Sequence, residues 1–318
     1  MDYSRRRVIC QTRSILALGE IMHQPSRNGA RRTYASLHWL MVMLPAVLFA
    51  VSVGSAVASG QFPTSISAFY GGPVRDVFVG ALIALAACMI AYQGTNAVEH
   101  YNLKGAAFYA VFVALVPTGL DEILSDLHGQ LSPSGVTPSE YVWSIRFSLT
   151  IAAFVCLALI AHEVRRINGR RQGMDSLAIG FVGVTLGALV GFLGIAMWQL
   201  WAPAADAVTM GGIALGGFQL RIHDIAAIFL LSALAVAVWS HAWPRASARR
   251  SGEGVAMSDV ALQTRYRVIF ALMLLGPVAA WALSMAFAPD HFVLILEWWE
   301  IALFGAFWIF EARRLRRK

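Results

Sequence analysis

Eight long apolar segments run through this 318-residue chain, and they limit its fold more than any other feature. A hydrocarbon layer about 30 Å thick is crossed by a helix of roughly 20 apolar residues. The segments lack the alternation of membrane-barrel strands, so helices are the structure that satisfies their backbone groups in lipid. We therefore predict an all-α polytopic transmembrane helical bundle with about eight spans, Ser36 to Ser59, Asp76 to Gln93, Gly105 to Leu120, Tyr141 to His162, Leu177 to Trp201, Ile222 to Trp243, Val268 to Ala288 and Phe292 to Phe310.

The composition agrees with a membrane protein and argues against a soluble domain. Hydrophobic residues make up 58% of the chain and charged residues 14%, whereas a soluble domain carries about 25% charged residues. The net charge of +7 does not indicate a nucleic-acid partner, because the basic residues lie in short runs between apolar segments. We predict one membrane domain, residues 36–312, between a basic tail of residues 1–35 and a basic C-terminus of residues 313–318, with no cofactor and no metal.

The distribution of basic residues predicts the orientation. Of the 25 Lys and Arg residues, 22 lie in the N-terminal tail, in alternate connections and at the C-terminus. The connection between the third and fourth spans has four carboxylates and no Lys or Arg. Because cytoplasmic loops carry an excess of Lys and Arg, both termini are predicted to lie in the cytoplasm and the chain in the cell inner (plasma) membrane. This orientation requires an even number of spans.

Glycines mark two of the predicted spans. Gly183, Gly187 and Gly191 follow each other at four-residue spacing in the fifth span, a pattern that lets two helix backbones approach closely. It predicts either tight packing within the chain or a seam between two copies, so a homo-oligomer is one of the alternatives. In the seventh span, Gly276-Pro277 predicts a kink, because Pro removes a backbone hydrogen bond and crowds the preceding turn.

Ionisable residues near the outer ends of the spans form the candidate site. Arg75, Arg146 and Arg221 depart from the cytoplasmic bias, and Glu297 and Glu300 share one face of the last span through their i,i+3 spacing. A charge inside the membrane costs at least about 2.5 to 3.5 kcal/mol and turns inward, toward a partner or water. We therefore predict that these five residues meet in one outward-facing polar pocket, together with Asp76, His223 and Asp224.

Three functions fit such a pocket. Its charges can be ion pairs that fix helix packing, or they can bind a lipid head group or small anion, since the Arg guanidinium suits phosphate and carboxylate. A metal-dependent or acid/base hydrolase would use His223, Asp76 and Glu297 as ligands or bases. No HExxH, HxxxH or CxxC spacing occurs, which weakens the hydrolase. His162 and His241 fall at inner helix ends, where a cation near a helix C-terminus is routine.

A short motif in the first outer connection carries a family resemblance. Thr64-Ser65-Ile66-Ser67-Ala68-Phe69-Tyr70 is followed by Pro73-Val74-Arg75-Asp76-Val77-Phe78-Val79-Gly80. This SxSxFY…RDVFVG pattern resembles a family of multi-pass bacterial membrane proteins of uncharacterised activity, which is similar in outline to ceramidase-like membrane hydrolases. The resemblance implies a helical membrane fold, no known substrate, and one outer site near Ser65, Ser67, Tyr70, Arg75, Asp76, His223 and Glu297.

The chain also differs from that outline. It carries an additional pair of spans, from about Tyr141 to Trp201, and it has Glu297 and Glu300 where the ceramidase-like set has a histidine pair in the last helix. We therefore expect a membrane protein whose outer pocket binds a membrane lipid head group or a small anionic ligand. The alternatives are a membrane-embedded lipid hydrolase at the same site and a scaffold that packs through its glycine helix.

Overall fold

The computed structural model describes residues 27–71, 74–116, 137–170, 176–201, 213–215, 218–243 and 257–316. Within these ranges the chain forms eight α-helices: α1 Arg27–Ser59, α2 Val74–Ala91, α3 Ala97–Leu115, α4 Pro138–Arg170, α5 Ser176–Leu200, α6 Ile222–Ala242, α7 Met257–Phe287 and α8 Phe292–Arg316. Two 3-10 helices, η1 Ile66–Gly71 and η2 Pro289–His291, precede α2 and α8. The predicted all-α helical bundle is confirmed.

Two local features differ from the prediction. The strands β1, Ile213–Leu215, and β2, Phe218–Leu220, pair antiparallel just before α6, where the sequence predicted no strand. Helix α1 begins at Arg27, inside the predicted tail of residues 1–35, and the rest of that tail lies outside the described residues.

Seven of the described helices, all except α3, are long and apolar enough to cross a membrane. Their outward faces are apolar too, since Phe154, Trp198 and Phe287 are each more than half exposed. Apolar exposure of this extent marks a surface that contacts something other than water. The architecture is therefore that of a multi-pass membrane protein.

Helix α3 corrects the boundaries of the third predicted span. It begins at Ala97 rather than Gly105 and ends at Leu115, and residues 117–120 of the predicted span lie outside the described residues. The helix includes Glu99 and Lys104, which makes it less apolar than the other seven. Contacts with α2, α4, α5 and α6 bury most of its length, so these polar residues do not face lipid.

Helix α3 nevertheless extends as deep into the bundle as α6, and the two run antiparallel. Asn96, which caps the start of α3, donates from Nδ2 to Ser240 Oγ at 3.2 Å, near the end of α6. At the other end, the carbonyl of Val116 lies 2.8 Å from Nδ1 of His223, in the first turn of α6. Helix α3, about 28 Å long at 1.5 Å per residue, therefore covers α6 from end to end.

The two ends of the bundle are called the η1 end and the terminal end. The η1 end holds η1, the end of α3 and the starts of α6 and α8, and its core includes Ile66, Phe112 and Ile222. The terminal end holds the start of α1 and the last turns of α6 and α8, and its core includes Met89 and Trp308. The charge bias of the sequence predicts that the terminal end faces the cytoplasm.

The glycines of α5 do not pack inside the bundle. Gly183, Gly187 and Gly191 are exposed, and a Cβ added at any of them would meet no atom of the described residues within 4 Å. The close approach of α5 to α3 is made elsewhere, where a Cβ at Gly105 would lie 3.1 Å from Cγ2 of Thr185. Packing within the chain through the three glycines is therefore wrong, and the seam between two copies stays a prediction.

Candidate functional site

The two serines of the SxSxFY motif lie buried at the start of η1. Ser65 Oγ is 2.9 Å from Ser67 Oγ, and the backbone N–H of Ala68 donates to Ser65 Oγ at 3.1 Å. Ser and Thr hydroxyls commonly bind nearby backbone groups and so fix turns. Both hydroxyls therefore stabilise the turn that begins η1.

Glu297, in the second turn of α8, joins this turn to the rest of the η1 end. Its Oε2 accepts the backbone N–H of Ile66 at 2.5 Å. Two further contacts link the same segments: the N–H of Leu294 donates to the carbonyl of Thr64 at 3.1 Å, and His291 Nε2 lies 2.8 Å from the carbonyl of Phe62. The partly buried Glu297 carboxylate therefore holds the connection between α1 and α2 against the start of α8.

The start of α6 supplies the other polar groups of this region. Asp224 Oδ2 accepts the backbone N–H of Arg221, the residue that precedes α6, at 3.3 Å, which satisfies a free donor at the helix start. Asp224 and Glu297 both belong to the η1 end, so their negative charges lie in the same region. His223, buried, lies with Nδ1 at 2.8 Å from the carbonyl of Val116, which selects the tautomer that donates from Nδ1.

Arg146 contacts a different part of the molecule. Its Nε donates to the carbonyl of Leu200 at 3.0 Å, and its guanidinium carbon lies 5.5 Å from the ring centroids of both Trp143 and Trp201. A cation at this position binds the free carbonyls of a helix C-terminus and stacks on aromatic rings. Arg146 thus fastens α4 to the end of α5, a contact that the predicted pocket did not include.

Glu300 shares a helix face with Glu297 but contacts a different element. It is 4% exposed, and a Cβ added at Gly276 of α7 would lie 2.7 Å from its Oε1. Its Oε2 has no hydrogen-bond partner among the described residues. Glu297 and Glu300 therefore contact different elements, Glu297 at η1 and Glu300 at the Gly276-Pro277 position of α7. Helix α7 continues without a break at this position.

The remaining predicted residues lie at the start of α2. Arg75 and Asp76 are exposed in its first turn, where an acidic side chain is favoured by the helix dipole. The side chain of Tyr70 lies outside the described residues. In the described part of the chain, no group of three or more His, Cys, Asp or Glu side chains is placed to hold a metal ion.

Comparisons with protein-family models, with curated proteins and with solved structures find no match. The function is therefore argued from the geometry of the sites themselves.

A second buried polar cluster, at the terminal end, was missed by the sequence analysis. His241 of α6 lies between two carboxylates, with Nε2 at 2.9 Å from Glu99 Oε1 and Nδ1 at 3.5 Å from Glu311 Oε1. Both carboxylates are fully buried. Arg314 Nη2 lies 2.8 Å from the second oxygen of Glu311, and the Tyr266 hydroxyl donates to the first.

The cluster was missed because its members are far apart in the sequence and each has an ordinary explanation alone. The predicted third span began at Gly105, which placed Glu99 in a connection, and His241 was interpreted as a routine cation at a helix end. Hydroxyl and amide donors complete the site around Glu99: Tyr92 Oη at 3.0 Å, Thr95 N at 2.6 Å and Thr95 Oγ1 at 2.8 Å. The only sequence signal was acidic residues within or beside apolar segments, which is itself a functional indication.

Proposed function

We propose that this protein is a multi-pass protein of the cell inner membrane that binds a lipid head group at its η1 end. The observation that carries the proposal is the contact between the partly buried Glu297 carboxylate and the backbone of Ile66, with Asp224 at the same end of the bundle. Two neighbouring carboxylates repel each other unless a proton or a cation lies between them. A head group with an ammonium would supply that cation.

Arg221 supports a ligand with both charges. It begins the turn that holds Asp224, and it is partly exposed at the mouth of the region. A guanidinium suits phosphate. A zwitterionic phosphoethanolamine group therefore fits the charges of this region better than a free anion, which the two carboxylates would repel. Of the three charged residues used here, the SxSxFY…RDVFVG resemblance implies Glu297.

A lipid-binding experiment on the full-length protein tests this proposal. Wild type, Glu297→Gln and Asp290→Asn are purified in detergent and titrated with phosphatidylethanolamine, phosphatidylglycerol or soluble phosphoethanolamine, with the unfolding temperature as readout. Gln keeps an oxygen for the Ile66 N–H, and Asp290 is an exposed acid at the same end, so it controls for lost charge. Phosphatidylethanolamine should stabilise wild type and Asp290→Asn but not Glu297→Gln.

The other outcomes separate the alternatives. Equal stabilisation of Glu297→Gln by phosphatidylethanolamine would refute the proposed site, and stabilisation by phosphatidylglycerol alone would indicate an anion site instead. A response to soluble phosphoethanolamine as large as that to the lipid would indicate a soluble solute as the ligand. Release of a head group, followed by mass spectrometry, would indicate the membrane hydrolase.

The proposed orientation places the η1 end outside the cytoplasm. It rests on the basic residues of the connections and on counting α3, which covers α6 from end to end, as an eighth crossing, because an even number of crossings puts both termini on one side. In a Cys10→Ser background, Asp290→Cys provides an exposed thiol at the η1 end, because the two remaining cysteines, Cys88 and Cys156, are buried. A membrane-impermeant maleimide should label this variant, and not the Cys10→Ser background, in intact cells. Labelling only after the membrane is opened would reverse the orientation.

Self-association through α5 is a second candidate function, because its glycine face is open. Gly183, Gly187 and Gly191 leave space where a second helix backbone could approach. Gly187→Leu should reduce crosslinking between copies, while Gly80→Leu, at an equally open glycine of α2, should not. Equal crosslinking of the two variants would rule out the seam.

A further inference from the structure

The terminal-end cluster has a geometry that a neutral histidine does not satisfy. Each ring nitrogen of His241 faces a carboxylate oxygen, Glu99 at 2.9 Å and Glu311 at 3.5 Å. A neutral imidazole has one N–H and one lone pair, so one carboxylate would face a lone pair. An imidazolium carries an N–H on each nitrogen, so both carboxylates face positive charge. We propose that Glu99, His241 and Glu311 form a binding site for one exchangeable proton.

The charges of the cluster give an independent argument. With a neutral ring, two carboxylates face the single cation of Arg314, which leaves one uncompensated negative charge. With a proton on the ring the charges balance. An uncompensated buried charge is far more costly than a balanced group, so burial favours the protonated state.

The surrounding groups add hydrogen bonds but do not change this balance. Tyr92 and Thr95 donate to Glu99, and Tyr266 of α7 donates to Glu311. Arg267, also on α7, donates from Nε to the carbonyl of Ala242, the residue after the histidine. The contact at Nε2 has ion-pair distance without hydrogen-bond alignment, so its attraction is mainly that of charge.

One side of the cluster lies nearer to solution. The Arg314 side chain is 24% exposed and lies against Glu311, whereas Glu99 and Glu311 are both fully buried. Proton exchange would therefore pass along the Glu311 side, from water at the terminal end to a ring nitrogen, with no other bond changed. When the proton leaves, the attraction that joins α3 and α8 to α6 weakens, so proton concentration at this end is coupled to helix packing.

Nitrogen NMR of histidine tests the proposal directly. The full-length protein, labelled with 15N in its imidazole rings and held in lipid nanodiscs, is titrated from about pH 5 to about pH 9, the range in which histidine normally changes charge. Among the eight histidine rings of wild type, the His241 ring should have both nitrogens protonated at low pH and become neutral reversibly as the pH rises. That signal should be missing from His241→Gln and kept in His162→Gln, a control at an exposed histidine of α4.

Glu99→Gln provides the second measurement. Removal of one carboxylate should lower the ratio of charged to neutral ring at a fixed pH about tenfold or more, since an opposite charge at this distance favours the charged form. If His241→Gln does not fold, the signal is assigned in wild type through its contacts with Tyr266 and Phe307, whose ring centroids lie 5.2 Å and 5.5 Å away.

Two results would overturn the inference. A His241 ring that is neutral over the whole range would show that the site holds no proton. A ring that stays charged and never titrates would show a fixed ion pair instead of an exchangeable site. The site lies at the opposite end from the proposed head-group site, so neither result bears on lipid binding.

Discussion

Gly94 is the position where the structure predicts the sharpest response to one added methyl group. It lies in the turn between α2 and α3, and a Cβ there would be 2.6 Å from the backbone N of His100 and 2.8 Å from its Cα. Non-bonded carbon atoms prefer about 3.5 to 4.0 Å. Because the atoms in the way belong to the backbone of α3, a side-chain rotation cannot relieve the clash.

The expected size of the effect follows from opposing contributions. Overpacking of this kind costs typically about 1 to 3 kcal/mol. Replacing Gly by Ala stiffens the unfolded chain, which offsets about 0.4 to 1 kcal/mol. Since backbone is displaced, we expect the upper part of the cost and a net loss of about 2 kcal/mol for Gly94→Ala.

Gly80 provides the matched control. It lies inside α2, and a Cβ there would meet nothing within 4 Å. Ala exceeds Gly in helix propensity by up to about 1 kcal/mol, so Gly80→Ala should unfold at the same or higher denaturant than wild type. The two variants should therefore differ by about 3 kcal/mol, or about two orders of magnitude in the folding equilibrium constant.

Reversible unfolding of both variants in mixed detergent and dodecyl sulfate micelles, followed by far-UV circular dichroism, measures this difference. The reasoning fails if Gly94→Ala unfolds within about 0.5 kcal/mol of Gly80→Ala. Such a result would mean that the turn does not approach α3 as closely as the structure shows.

Three further predictions use contacts at other places in the fold. Arg146→Lys keeps the charge but loses the guanidinium whose Nε donates to the Leu200 carbonyl at the end of α5. We expect the free energy of unfolding to fall by about 1 to 2 kcal/mol in the same assay, with a shift in tryptophan fluorescence. His223→Leu leaves the Val116 carbonyl without its donor and should cost about 1 to 3 kcal/mol, most of which His223→Asn should recover if its amide reaches the carbonyl. The side chains of Lys104 and Glu163 form an ion pair between α3 and α4. Lys104→Glu and Glu163→Lys should therefore each lower the unfolding midpoint, and the double variant should restore it. Additive losses in the double variant would contradict the pairing.

The candidate residues show how much of the site could be predicted from the sequence. Charged residues near span ends drew attention to Glu297 and Asp224, and the family resemblance drew attention to Ser65. The structure places all three at the η1 end. The same reasoning included Arg146, whose position along the chain is similar but whose guanidinium turns to the end of α5. A single pocket shared by all the predicted residues stays a prediction. The sequence gives the depth of each residue in its span, but it does not give the direction in which the side chain points.

The sequence by itself determined that this protein is a bundle of membrane-length helices, and nearly all their positions. Length and hydropathy are properties of each segment alone, and lipid leaves the backbone few other structures. The tertiary structure decided which helices and side chains contact each other, which length and hydropathy do not specify. It placed α3 at the centre, where its neighbours shield Glu99 and Lys104 from lipid, and it left the glycines of α5 open. It also joined Glu99, His241 and Glu311 across three helices, since such a contact depends on how each helix is rotated about its axis and on which neighbour it faces.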